Sequence, residues 1–111
     1  MSAKHFRVLD AANQASDRII RLIDSRPRTL LHTTQMRNAA ESVPANISEA
    51  RGRSTPRDRS YRYEIARGEA EEAKTHVGSN YRSGRISKAE YFPIHNLLTT
   101  IVKMLDSLIA E

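Results

Sequence analysis

A chain of 111 residues can bury one hydrophobic core and is too short for two. It has no cysteine or tryptophan, which excludes a disulfide framework, a thiolate nucleophile, a zinc ribbon and an iron–sulfur cluster. Eighteen Lys and Arg against thirteen Asp and Glu leave a net charge of +5, and fourteen of those cations are arginine, the side chain suited to bidentate contact with phosphate or carboxylate.

The first residues mix charges with apolar groups, and no run approaches the roughly 20 apolar residues of a membrane span. A cytoplasmic, single-domain protein over residues 1–111, with no membrane partner, is expected. In chain order, Phe6, Leu9, Ala12, Ala15, Ile19, Leu22 and Ile23 recur at steps of three and four, which predicts a first helix over 4–25. Pro27 ends it, because the residue before a proline is disfavoured in the α region. A second stripe, Leu31, Met36, Ala40, Val43, Ile47 and Ala50, predicts a helix from about Thr29 to Arg53 with Pro44 inside. Pro44 has no N–H to give the Ala40 carbonyl, so a continuous helix kinked at that point is expected. The competing reading is two short helices, the second capped by Ser42.

Thr55-Pro56-Arg57-Asp58 reads as a helix start, with a capping hydroxyl, a proline in the first turn and an acid at the positive end of the dipole. The third helix, over 56–82, shows Tyr63, Ala66, Ala70, Ala73, Val77 and Tyr81, and Gly68 in its middle predicts the close approach of another backbone. Ser87 and Glu90 form a capping box before the last helix. That helix places Ile94, Leu97, Leu98, Ile101, Leu105 and Leu108 on one face, with Met104 and Ile109 beside it. Four helices with short connections predict an all-α, antiparallel up-and-down four-helix bundle, roughly 30 to 40 Å long.

No constellation for catalysis stands out. A di-iron bundle needs inward glutamates and two Glu-x-x-His pairs, which are missing, and Glu72 with His76 reads as a solvated helical contact. His5, His32 and His95 are scattered and read as surface or locally bonded groups. The four glycines stand singly, so there is no phosphate-binding glycine loop, and no metal or cofactor is expected. The dense feature is cationic. Arg51, Arg53, Arg57, Arg59, Arg62 and Arg67 fall within seventeen residues that hold only two acids, Asp58 and Glu64. They straddle a helix junction whose free amides add to the positive field, a setting for phosphate recognition. The alternative is pairing with Glu49, Glu64, Glu71 or acids of another subunit. Asn46 and Glu49, three apart beside Pro44, are expected either to bond the backbone freed there or to make a subunit contact.

The run Gln35-Met36-Arg37-Asn38-Ala39-Ala40-Glu41-Ser42-Val43-Pro44-Ala45-Asn46-Ile47-Ser48-Glu49-Ala50-Arg51-Gly52-Arg53 resembles the signature of the family of proteins encoded in intervening sequences of 23S ribosomal RNA genes. Tyr61, Ile65-Ala66-Arg67-Gly68 and Ala70-Glu71-Glu72 resemble its third-helix block, and Lys103-Met104-Leu105-Asp106-Ser107-Leu108-Ile109 its final helix. Ser48 and Ala50 replace the family's usual alanine and glycine, and Glu69 replaces a serine, changes that could alter a binding surface. The resemblance implies a four-helix bundle that assembles as a homo-oligomer, most often a pentameric ring, without established enzymatic activity. It also implies a link to nucleic acid, since a relative, the accessory protein of diversity-generating retroelements, works with a reverse transcriptase and RNA. The two functions expected are therefore an RNA-binding module that uses the arginine cluster and a structural or protein-interaction scaffold.

Overall fold

Three of the four helices begin where the sequence offers an oxygen to otherwise unpaired amides. The computed structural model describes residues 2–111. Helix α1 (Ala3–Ser25) is capped by Ser2, whose hydroxyl accepts from the His5 amide. Helix α3 (Pro56–Arg82) is capped by Thr55, which accepts from Asp58 N. Helix α4 (Lys88–Ile109) has the complete capping box, Ser87 and Glu90 each bonding the other's backbone amide. Helix α2 (Thr33–Arg51) is the exception: His32 precedes it in the left-handed region, at φ 55°, with no side-chain cap. Among the described residues there is no strand.

The backbone at His32 explains why α2 starts later than the expected Thr29. Residues 26–32 form turns, with Arg26 N donating to Ile23 O and Thr29 N to Arg26 O. Leu31 therefore lies outside the helix and is half-buried, while its neighbour Leu30 fills the core. From Thr33 the helix runs unbroken through Pro44, so the reading as two short helices does not hold.

Each helix packs on two others, α1 on α2 and α4, and α3 on α2 and α4, which closes a four-helix bundle 43 Å along its longest axis. Its core is built from Val8, Ile19, Met36, Val43, Ile47, Val77, Leu98, Ile101 and Leu105, and the alanines Ala66, Ala70 and Ala73 let α3 sit close to its neighbours. Two expectations are corrected. Phe6 is exposed, because His5 and Val8 occupy the inward positions of that first turn. Gly68 faces open space, with nothing within 4 Å of where a Cβ would stand, and nothing in the structure explains the glycine. The crowded glycine is Gly78, which is buried with Arg82 Nη1 3.0 Å from its absent Cβ.

Ion pairs join the helix ends. Lys4 Nζ meets Glu111 Oε2 at 2.9 Å, and Arg26 grips Glu90 through two N–H groups, 2.9 and 2.5 Å from the carboxylate oxygens. The Arg26 contact, together with the Ser87 amide, holds the Glu90 carboxyl down at about 2. A carboxyl with a depressed folded pKa adds stability above its unfolded value, and that contribution disappears as pH falls through about 2. Glu90→Gln is expected to cost about 1 kcal/mol at pH 7, chiefly through the weakened cap. Urea unfolding of both proteins should show this gap at pH 7 and its near-disappearance at pH 2.

Candidate nucleic-acid interface

One end of the bundle gathers the start of α1, the end of α2, the start of α3 and the end of α4. The α2–α3 turn is tight, with Gly52 N and Arg53 N donating to the carbonyls of Glu49 and Ala50, so arginines on both sides of it are held near one another. The Arg51 guanidinium lies 5.3 Å from the centroid of the exposed Phe6 ring, a cation–π contact. Arg53 Nη2 pairs with Glu49 Oε2 at 2.8 Å. Arg59 Nη1 donates to the Arg53 carbonyl at 3.3 Å. Arg57 is exposed and has neither an ion pair nor a side-chain hydrogen bond among the described residues.

The other two arginines of the cluster sit further into α3. Arg62 donates to Asn46 Oδ1 at 3.4 Å and lies 5.9 Å from the Tyr61 ring centroid. Arg67 is paired with Asp106 on α4, and that contact raises its already high pKa. Of the six, only Arg53 and Arg67 meet a carboxylate among the described residues. Arg51, Arg57, Arg59 and Arg62 keep their charge available to an external anion.

Asn46 and Glu49 are both engaged within the chain. Asn46 Nδ2 donates to the carbonyl and the hydroxyl of Ser42, both at 2.9 Å, while Glu49 holds Arg53. The carbonyl that Pro44 frees is that of Ala40, two residues before the acceptor Asn46 uses.

Sequence reasoning missed two polar side chains here and at the far end. His5, expected at the surface or in a local bond, is fully buried, and its Nδ1 lies 2.8 Å from the hydroxyl of Tyr63, 58 residues away. Its Nε2 is buried without a partner among the described residues. Burial, and secondarily the charge of Arg51, lower the His5 pKa, so the imidazole is neutral under the arginines. Burial raises the Tyr63 phenol. Tyr63, Ser2, Arg59, Ser60, Leu108 and Glu111 line a cleft of about 320 Å³ beside this pair. Asn80, near the other end, is also fully buried; its one sequence signal is a place on the α3 stripe three residues after Val77.

His76 and Glu72 approach to 3.6 Å on one face of α3, with Glu72 exposed and the His32 ring centroid 5.4 Å from that of His76. Among the described residues, no three His, Asp or Glu are grouped closely enough to hold a metal ion. What this end can do chemically is bind anions: unpaired guanidiniums can donate paired N–H bonds to phosphate oxygens, and an exposed ring beside one of them adds a flat apolar contact.

The fold and this basic pole define a small four-helix-bundle protein whose concentrated feature is cationic. The chain belongs to the 23S rRNA-intervening sequence protein family, whose model matches residues 4–107. It is similar to a crystal structure of a protein of unknown function from the S23 ribosomal protein family of Bacteroides thetaiotaomicron, with 27% identity, a TM-score of 0.87 and coverage of 94% of this chain and 99% of that one. No curated protein gives a significant match.

Proposed function

We propose that this chain is a non-enzymatic, cytoplasmic binding protein whose arginine pole grips the phosphates of structured RNA. The observation that carries the reading is the set of four arginines, Arg51, Arg57, Arg59 and Arg62, left without a carboxylate at one end of the bundle. Such contacts are read mainly as charge, so binding depends steeply on salt and little on sequence. The proposal is tested by titrating a labelled RNA hairpin at several salt concentrations. Joint replacement Arg57→Glu and Arg59→Glu should weaken binding by about tenfold or more and flatten the salt slope by roughly 2, near one unit per lost phosphate contact. An unchanged slope would sink it.

A second reading, a homo-oligomeric scaffold in the form of a pentameric ring, draws support from the shallow, exposed strip of Ala45, Ser48, Glu49 and Gly52 at the end of α2 and just past it, where Ala45, Ser48 and Gly52 leave room for a neighbouring copy. The two readings are compatible, because a ring would repeat the arginine pole and bind a polyanion multivalently. Native mass spectrometry with and without nuclease reads subunit number and bound nucleic acid together. In the same reading the helices run up and down, each antiparallel to the next, and α2 bends at Pro44. The Lys4–Glu111 and Arg26–Glu90 pairs, at opposite ends of α1 and α4, support the first; the missing N–H of Pro44 supports the second.

A further inference from the structure

The end of the bundle opposite the arginine pole carries a cluster of rings. Tyr81, in the last turn of α3, and Tyr91, in the first turn of α4, stack with centroids 4.2 Å apart and planes 5° from parallel. His95 lies one turn after Tyr91, its ring 5.2 Å away and its Nδ1 3.1 Å from the Tyr91 hydroxyl. Phe92 stands edge-on to both tyrosines, 5.8 and 4.9 Å between centroids, and is 38% exposed. Phe92 lies outside the stripe of Ile94, Leu98, Ile101 and Leu105 that α4 buries, so the core does not account for it.

The chain segment that carries these rings is one-sided in charge. From Ala73 to Leu105 the chain holds Lys74, Arg82, Arg85, Lys88 and Lys103 and a single acid, Glu90, which Arg26 already occupies. Lys88 is one helical turn before Phe92 on the same face and is exposed, with no ion pair among the described residues. Arg82 follows Tyr81 directly, and Arg85 sits in the turn between the two helices, where its Nε donates to Thr29 O. A partner that fits this face is planar and anionic in alternation, which describes neither a lipid tail nor an aliphatic helix.

We propose that the exposed Phe92 ring, braced edge-on by the stacked Tyr81 and Tyr91, is a stacking platform for unpaired bases of a single-stranded nucleic acid, with Arg82, Arg85 and Lys88 on its phosphates. Aromatic side chains take up bases whatever their sequence, because every base presents a π-face, and flanking cations track the backbone. The arginine pole cannot tell a single strand from a duplex, since both display phosphates. The ring platform can, because paired bases keep their faces covered. The inference rests on the RNA-binding reading for the chemical class of partner and adds to it the strandedness and a second contact point at the far end of a 43 Å body.

The test exploits the absence of tryptophan from the chain. Phe92→Trp keeps a ring at the site and introduces one fluorophore, to be titrated with an oligoadenosine RNA of about 12 nucleotides and with a blunt RNA duplex of the same length. The expected result is quenching of the indole by the single strand and none by the duplex. In Phe92→Ala, anisotropy of the labelled single strand should report binding about tenfold weaker, with duplex binding unchanged and the helical circular dichroism intact. Single-strand binding that leaves the indole unquenched and is indifferent to Phe92→Ala would overturn the platform while leaving the arginine pole in place. Conversely, quenching that survives Arg57→Glu with Arg59→Glu would support the platform and remove the pole. An indole emission that shifts blue with protein concentration alone would assign the face to a second copy of the chain and overturn the proposal, as would failure of both nucleic acids to bind.

Discussion

Asn80→Leu is expected to lower the free energy of unfolding by about 3 kcal/mol, because it leaves buried backbone groups unpaired rather than because it changes volume. Asn80 has no exposed surface. Its Oδ1 accepts from Leu31 N at 2.7 Å, and its Nδ2 donates to Leu31 O at 3.1 Å and to His76 O at 2.9 Å. Leu31 sits in the α1–α2 connection, where no helix supplies partners for its amide and carbonyl, so the Asn80 carboxamide stands in for one. Leucine fills the same space and satisfies none of these groups. Urea denaturation with an unchanged m-value would read the loss directly. Asn80→Asp keeps an acceptor for Leu31 N but sets a buried carboxylate against the Leu31 and His76 carbonyls, and at pH 7 it should lose at least as much as leucine. A loss well under 1 kcal/mol for the leucine variant would show that water replaces the carboxamide and that the connection is not held by it.

His5→Leu should have the second largest effect, about 2 kcal/mol at pH 8, and its size should depend on pH. The substitution strands the buried Tyr63 hydroxyl, whose partner at 2.8 Å is His5 Nδ1. Burial, then the charge of Arg51, depresses the His5 pKa in the folded state. The unfolded chain therefore binds the proton more readily than the folded one, so this group stabilises the fold above its ordinary value near 6.5 and the contribution is lost as pH falls through the lower folded value. Leucine does not titrate. The gap between wild type and variant should narrow from pH 8 to pH 5, and thermal unfolding across that range will show it. A gap independent of pH would mean that the imidazole is not held neutral. Tyr63→Phe should lose less, since it removes the hydroxyl and leaves the histidine in a shaped pocket.

What the sequence made legible follows the kind of force involved. Helix α3 was expected over 56–82 and is observed at Pro56–Arg82, and the Ser87–Glu90 capping box is present, because caps and prolines act within a few residues. The stripes of α3 and α4 were read well, since burial repeats with the helical period. The start of α2 was not, because the left-handed backbone at His32 leaves no mark that a periodicity search can see. Phe6 was assigned inward on hydrophobicity, yet His5 took that place through a bond to a residue 58 positions away. Of the six arginines, the pattern showed their density and offered Glu49 as a partner, and the Arg53–Glu49 pair is that local contact, four residues apart. That Arg67 leaves the group for Asp106 depends on which helices become neighbours.

The four packed faces of the bundle are not equal, and the α1–α4 face is the thinnest. It is also the one that joins the two most distant parts of the chain, so its closure carries the largest loop entropy. At its two ends it is latched by Lys4–Glu111 and Arg26–Glu90, pairs close enough to solvent to weaken with salt. Helix α1 is thus the element most easily released while α2, α3 and α4 stay together, and the slot it vacates matches the α1 of any other copy. Salt that weakens those latches is therefore expected to favour release of the helix and its exchange between molecules, which size-exclusion chromatography across ionic strength would read as a dimer.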